Sequence, residues 1–314
     1  MNPAWSVIFL TTLIGAGQGL FIALFVTEVG GNLAAWEVPA PRYFFVGSVL
    51  SLILLGTGLF ASFFHLGHPE RAWRSATMWR TSWLSREVIV LPAFIATVAA
   101  YGITHLLYAA GDTTLILGSA GLALCLALFI CTGMIYACIK FLQEWHSPLT
   151  IVNYILFGCA SGFMAATAFA FLRAPGVVTA LGACAAAFTL AALVTRAWSL
   201  ARNARLKPKS TLQTAIGVKH PRIVQKSQGF MGGSFNTRDF FHHKSGGFLR
   251  SVKWIFLLLV FPLPLALLAT GLSVASLPLL AAAFVVQYLG LLAERWYFFA
   301  QANHPQNLYY QQIS

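Results

Sequence analysis

Residues 5–26 read WSVIFLTTLIGAGQGLFIALFV, and this stretch decides the fold class. It carries no charged side chain. At about 1.5 Å of rise per helical residue it is long enough to cross a hydrocarbon core of about 30 Å. A backbone in lipid has no water to bond, so we predict a helix. The stretch lacks a basic leader and a small-residue cleavage site, and we interpret it as a mature span and not as a removed signal peptide.

The whole chain has the composition of a membrane protein. Of 314 residues, 58% are apolar and 9% are charged, whereas charged residues make up about 25% of a soluble domain. We predict an all-α polytopic protein in which residues 1–314 form a single bundle of eight transmembrane helices. The expected spans are residues 4–27, 43–65, 87–110, 114–139, 151–172, 176–200, 250–273 and 275–299.

Charge is distributed unequally between the two sides of this bundle. Eight spans place both chain ends on one side, which receives 18 of the 20 Lys and Arg residues and five of the eight acids. The other side holds Glu28, Glu37, Arg42, Asp112 and Arg173. Because basic connections stay in the cytoplasm, we predict that the basic side and both termini are cytoplasmic. The opposite side is expected to serve packing only.

Residues 201–249 form a long basic insertion between spans six and seven, with Asp239 as its one acid. Two interpretations stay open. The insertion is either a solvated linker attracted to anionic lipid headgroups or a surface that docks on a protein partner. Interleaved aromatic residues favour docking, and a nucleic-acid partner is not expected. The predicted docking residues are Arg222, Lys226, Phe230, Phe235 and Arg238.

The connection between spans two and three carries the strongest candidates for chemistry. Residues 64–74 read FHLGHPERAWR, and residues 82–87 read SWLSRE. Because consecutive spans are antiparallel, His65 and Glu87 are expected at similar depth. Imidazole and carboxyl groups can bond a quinone oxygen and relay protons near neutral pH. His65 and Glu87 can therefore share a site and fit these roles.

Each of these candidates has a simpler alternative. Glu87 would favour the helix dipole in the first turn after an N-cap at Ser85, and His65 would bond a neighbouring carbonyl at the interface. Arg71 and Arg74 share one face of a short helix, where they would bind the quinone, a partner or lipid headgroups equally well.

Four further ionisable residues near the same surface are candidates for a proton relay or for a second layer around the quinone: Glu144, His146, Glu294 and Arg295. Glu294 and Arg295 are adjacent, so on a helix they point about 100° apart and a salt bridge between them is not expected. The cysteines show no CxxC spacing, and His105 has no histidine partner on its side of the membrane. We therefore expect neither haem nor metal in this chain.

Three motifs resemble the membrane-anchor subunits of the dimethyl sulfoxide reductase family, the DmsC-like anchors of molybdenum enzymes. They are HLGHPERA at 65–72, LSRE at 84–87 and the sequence ERWY at 294–297. The resemblance implies a bacterial inner-membrane anchor that exchanges electrons with ubiquinone or menaquinone. It also implies a molybdopterin catalytic subunit and an iron–sulfur subunit as partners, and His65 and Glu87 as quinone-site residues.

The insertion departs from the reductase anchors and is similar to the anchors of cytoplasm-facing sulfite dehydrogenases. This likeness implies an oxidoreductase subunit without catalytic residues of its own, which passes electrons from sulfite oxidation to quinone. An anchor that oxidises quinol for a dimethyl sulfoxide reductase stays open as an alternative. A multi-span transporter is less well supported, because the polar residues cluster at one interface and no internal repeat is visible.

Overall fold

The computed structural model describes residues 1–108, 111–224, 226 and 240–308, and its regular structure within them is helical. Short 3₁₀ helices cover Phe63–His65, Pro69–Ala76, Pro175–Val177 and Pro305–Leu308. The helices are α1 (Trp5–Asn32), α2 (Pro41–Ser62), α3 (Trp83–Tyr108), α4 (Asp112–Ala137), α5 (Pro148–Arg173), α6 (Val178–Ala204), α7 (Leu212–Ile216), α8 (Gly246–Val260), α9 (Pro262–Ser273) and α10 (Leu277–Ala300).

The predicted all-helical fold with eight spans is confirmed. Six spans correspond to α1 to α6, and α10 is the eighth. The seventh span consists of α8 and α9 together. It breaks at Phe261, whose backbone leaves the helical region (φ −113°, ψ −81°), because Pro262 has no N–H to donate to the preceding turn.

We call the end of the bundle that carries residue 1, residue 308, the connections 63–82 and 138–147 and the described parts of the connection 205–245 the basic end, and the other end the opposite end. Helices α1, α3 and α5 begin at the basic end, and α4, α6 and α10 finish there. The two ends therefore match the two sides that the charge pattern separates.

Two helix boundaries differ from the predicted ones and change the interpretation of the residues beside them. Helix α1 continues to Asn32 instead of ending at 27, so Glu28 is a buried helical residue and not part of a connection. Helix α3 begins at Trp83, so the interpretation of Ser85 as an N-cap is wrong. Glu87 consequently lies a full turn inside α3.

Helices α1 and α5 run parallel through the centre of the bundle, and glycines set their separation. α1 packs against α2, α4, α5 and α10. A methyl group on Gly19 would overlap the carbonyl of Gly158, and one on Gly162 would overlap the backbone of Gly19. Small residues allow backbones to approach closely where lipid supplies no hydrophobic drive for association.

The glycine contact gives a first prediction, on stability. Gly19→Ala should force α1 and α5 apart and lower the free energy of unfolding by about 1–3 kcal/mol, as overpacked interiors do. The matched control is Gly56→Ala on α2, where an added methyl group meets no atom within 4 Å. Thermal unfolding in detergent, followed by circular dichroism, measures both variants, and equal midpoints would contradict the packing argument.

Candidate functional site

The carboxyl of Glu87 is buried inside the bundle near the basic end. Its side chain is 9% exposed, and the hydroxyl of Thr132 on α4 donates a hydrogen bond to it. Gln18 on α1 lies close by and donates to the carbonyl of Cys125 at 2.9 Å. Glu87 is thus held between helices and does not merely complement the dipole of its own helix.

Three charged side chains form a second buried group nearby. Glu294 on α10 is fully buried. Its carboxylate pairs with Arg196 Nη2 of α6 at 2.8 Å and with Arg295 Nη2 at 2.6 Å. The Arg295 guanidinium also lies 4.4 Å from the centre of the Tyr154 ring and 4.7 Å from that of Phe298. We call Arg196, Glu294 and Arg295 the buried triad.

Two narrow cavities connect these groups. The first is lined by Arg295, Tyr154, Phe157 and small residues of α1 and α5. The second is lined by Glu87, Thr132, Gln18 and Phe129. They meet at residues that line both cavities: Thr11, Gly15 and Tyr154.

The polar residues around the cavities lie in one layer. Thr11, Tyr154 and Glu87 come four to six residues after the starts of their helices, and Thr132 and Arg295 come five residues before the ends of theirs. At about 1.5 Å per residue, this layer is roughly 6–9 Å inside the basic end. Groups from five helices therefore converge at one depth.

The structure does not bring the other predicted quinone residues into this layer. His65, Arg71 and Arg74 are exposed and line neither cavity. Arg71 lies 3.7 Å from the carboxylate of Glu70, and Arg74 lies 5.6 Å from the ring of Trp73. All three belong to the surface of the connection that leads into α3.

The predicted relay residues divide in the same way. Glu144 and His146 lie in the connection after α4. The exposed His146 ring forms a hydrogen bond with the carbonyl of Ala137 at 2.6 Å, and neither residue lines a cavity. The expectation that Glu294 and Arg295 do not pair is wrong. Although their Cα–Cβ bonds diverge, the arginine side chain folds back, and Nε and Nη2 both reach the same carboxylate oxygen at 2.6 Å.

Only part of the insertion's predicted docking surface falls within the described residues. Arg222 and Lys226 are exposed, while Phe230, Phe235 and Arg238 lie outside the described residues. The end of the insertion folds back onto the basic end. Phe241 and His242 are buried, and the adjoining α8 contributes Phe248, whose ring meets that of Trp296 edge-on at 5.5 Å.

His242 makes this docked segment sensitive to acid. Burial, together with the positive charges of the Met1 ammonium and His243, lowers the pKa of His242 to about 4 from its ordinary value of 6.5. Once undocked, the imidazole would regain its ordinary pKa. Docking is therefore complete above pH 6.5 and weakens as the pH falls toward 4, because only the undocked form takes up the proton.

Hydrogen exchange of residues 240–245 tests whether docking weakens as the pH falls. Between pH 7 and pH 5, exchange corrected for its intrinsic rate should accelerate in the natural chain. In His242→Asn the acceleration should be smaller, because an amide oxygen can still accept the backbone N–H of Lys244 (3.0 Å from Nδ1) but does not titrate. The same acid response in both chains would contradict the assignment.

A cluster of buried polar residues lies at the opposite end, where the sequence predicted packing only. Glu28 of α1 is 3% exposed and accepts hydrogen bonds from Tyr101 at 2.8 Å and from Thr114. His105 Nε2 lies 3.4 Å from the same carboxylate, and the His105 ring stacks on Phe44 at 4.3 Å. Neither cavity reaches this cluster, which joins α1, α3 and α4.

This cluster should contribute to stability. Tyr101→Phe removes a buried hydrogen bond to a carboxyl group and should lower the free energy of unfolding by about 1–3 kcal/mol. Tyr108→Phe on the same helix is the matched control, since Tyr108 is 78% exposed. Thermal unfolding measures the stability of the two variants. A lower midpoint in Tyr108→Phe alone, or an equal drop in both variants, would refute the structural role of Glu28.

Several functional candidates were not predicted from the sequence. Arg196 is a charged residue within an apolar span, which by itself marks a functional or paired group. Thr11 and Tyr154 gave no such signal, because each looks like an ordinary residue of a membrane helix. Among the described residues, no group of three or more His, Cys, Asp or Glu side chains could hold a metal ion.

Comparison with known proteins places this geometry in context. A model of the DMSO reductase anchor subunit (DmsC) family matches residues 1–310. A sulfite dehydrogenase subunit of Allochromatium vinosum is 53% identical over 325 aligned positions, which cover 100% of both chains. The anaerobic dimethyl sulfoxide reductase chain YnfH of Escherichia coli is 30% identical over 203 positions, which cover 60% of this chain and 68% of that one. The first alignment includes the insertion.

Proposed function

The chain belongs to the family of DMSO reductase anchor subunits, as its motifs predicted, and on that premise we propose that it anchors a sulfite-oxidising molybdenum enzyme in the membrane and hands electrons to a quinone. The observation that carries the proposal is the buried Glu87 carboxyl, which lines a cavity at the basic end. Ubiquinone or menaquinone would be the acceptor substrate. The molybdopterin and the iron–sulfur clusters would belong to partner subunits.

The choice of sulfite rests on likeness along the full chain. The relative named for sulfite dehydrogenase shares 53% of aligned positions, insertion included. The relative named for dimethyl sulfoxide aligns with 60% of this chain at 30% identity. The second relative supports an alternative in which the anchor oxidises quinol for a reductase, since the same site would serve both directions.

The redox balance defines what the anchor must supply. Sulfite and water yield sulfate, two protons and two electrons at the catalytic subunit, and the electrons pass through the iron–sulfur subunit. A quinone takes up two electrons and two protons to become quinol. The residues of this chain would therefore bind the quinone ring and deliver protons to its oxygens.

Glu87 suits the second task. A carboxyl group buried among apolar helices keeps or releases its proton according to what binds beside it. The hydrogen bond from Thr132 fixes one of its oxygens and leaves the other available to a ligand. The apolar walls of Ile14 and Phe129 would exclude bulk water from the transfer.

The distribution of basic residues supports an orientation in the membrane and a docking face for the iron–sulfur subunit. We place the basic end on the cytoplasmic side of the bacterial inner membrane, because 18 of 20 Lys and Arg residues fall there. The iron–sulfur subunit would dock on the same face, on the connections 63–82 and 205–245. Electrons and protons would then both arrive on the side nearest the cavities, which lie roughly 6–9 Å inside the basic end at about 1.5 Å per helical residue.

Replacement of Glu87 tests the function. In the purified complex, Glu87→Gln should reduce sulfite-dependent reduction of decylubiquinone by about 100-fold or more, the scale of a lost general acid, while sulfite oxidation with a soluble dye persists. The matched control is Glu70→Gln, an exposed carboxylate in the preceding connection. If the Glu87→Gln complex reduced decylubiquinone as fast as the natural complex, Glu87 would not be a proton donor at the quinone site.

His65 is expected to matter less than Glu87. Its exposed position outside both cavities suits proton delivery from solvent to the site, and other donors can replace that role. His65→Ala should lower quinone turnover by about 10-fold or less, compared with the roughly 10²–10⁴ of direct acid–base groups. A loss equal to that of Glu87→Gln would instead assign His65 to direct contact.

A further inference from the structure

The buried triad has an excess positive charge. Arg196 and Arg295 share the single carboxylate of Glu294, and all three side chains are at most 3% exposed. An unbalanced charge inside a membrane protein is costly unless it has a function or a further partner. The rings of Tyr154, Phe157 and Phe298 around Arg295 offset part of this cost through cation–π contact.

The two arginines differ in their position relative to the cavities. Arg295 lines the first cavity, while Arg196 lines neither. Arg295 Nη1 and the hydroxyl of Tyr154, which lines both cavities, make no hydrogen bond of ordinary geometry among the residues that the structure describes. A charged donor and a hydroxyl, which interact with each other at a geometry short of an ordinary hydrogen bond, thus lie together beside the cavity.

We propose that Arg295 binds one oxygen of the quinone ring, at the end of the site away from Glu87. This inference rests on the proposed function and names a residue that the motif at 65–87 does not contain. The guanidinium can only donate, so it suits a carbonyl oxygen or an oxygen on which negative charge grows. Glu87, in the adjoining cavity, would face the other oxygen.

Backbone and aromatic side chains line the site. Gly15 and Gly158 line the first cavity without side chains, and because their backbones contact each other, a ring would lie beside this contact and not between α1 and α5. The Tyr154 ring stands where the two cavities meet. A ring placed there would contact aromatic carbon on one side and reach both polar ends.

Charge arithmetic predicts which variants fold. Removing Glu294 would leave two unpaired buried arginines, and such a chain should not accumulate. Removing either arginine leaves a neutral pair with Glu294. Arg295→Gln and Arg196→Gln are therefore matched in charge, burial and ion-pair partner, and they differ in whether the lost guanidinium lines the cavity.

The experiment is equilibrium binding of decylubiquinone to the purified complex, followed by quenching of tryptophan fluorescence. Arg295→Gln should weaken binding by about 10- to 100-fold, the range for a lost hydrogen bond to a charged donor. Arg196→Gln should weaken binding less than Arg295→Gln does, because Arg196 lines neither cavity. Arg295→Lys keeps the charge without the fork and should fall between the two, which preserves the test if the glutamine variant does not accumulate.

The outcomes separate the two proposals. Equal weakening in Arg295→Gln and Arg196→Gln would assign Arg295 to structure, and unchanged binding in Arg295→Gln and Arg295→Lys would remove it from the site. Either result leaves the proposed function intact provided that the natural complex binds and reduces decylubiquinone. A natural complex that does neither would overturn the proposed function and this inference together.

Discussion

The contact between α1 and α5 is the constraint on which the rest of the bundle depends. Backbone meets backbone at Gly19, Gly158 and Gly162, where a single added methyl group would overlap the facing helix. One turn or two toward the basic end, the same faces carry Thr11 and Tyr154, which line the cavities. The glycines hold α1 and α5 close together, whereas the larger side chains nearer the basic end keep the two helices apart. The candidate site occupies the space that these larger side chains leave.

Buried charge is handled differently at the two ends of the bundle. At the opposite end, Glu28 has partners on two other helices and no cavity beside it, so its polar atoms act as a structural joint. At the basic end, the triad leaves one positive charge in excess next to open space. In a solvent as apolar as lipid, the first cluster joins three helices and so stabilises the fold, whereas the second borders a cavity in which we propose a ligand.

The length of the side chains explains which predictions from the sequence were wrong. The spans, and the position of Glu87 near the basic end, were predictable from the runs of apolar residues and from the polar residues at which these runs end. The separation of Glu294 from Arg295 was predicted from Cβ directions alone. That prediction was wrong because the long side chain of Arg295 can fold across about 100° of helix surface. Glu28 was placed in a connection because a charge usually ends a span, and here a tyrosine, a threonine and a histidine let the helix continue around it.

Sequence by itself determined the class of protein, the number of spans, the basic end and the family, because lipid imposes length, hydrophobicity and charge asymmetry on each segment independently. Tertiary structure alone decided which ionisable groups meet. It drew Arg196, Glu294 and Arg295 into one triad and left His65, Arg71 and Arg74 on the surface. The physical reason is that eight helices of similar hydropathy can pack in many ways, and the choice among them depends on close contacts between residues far apart in the chain, such as Gly19 and Gly158.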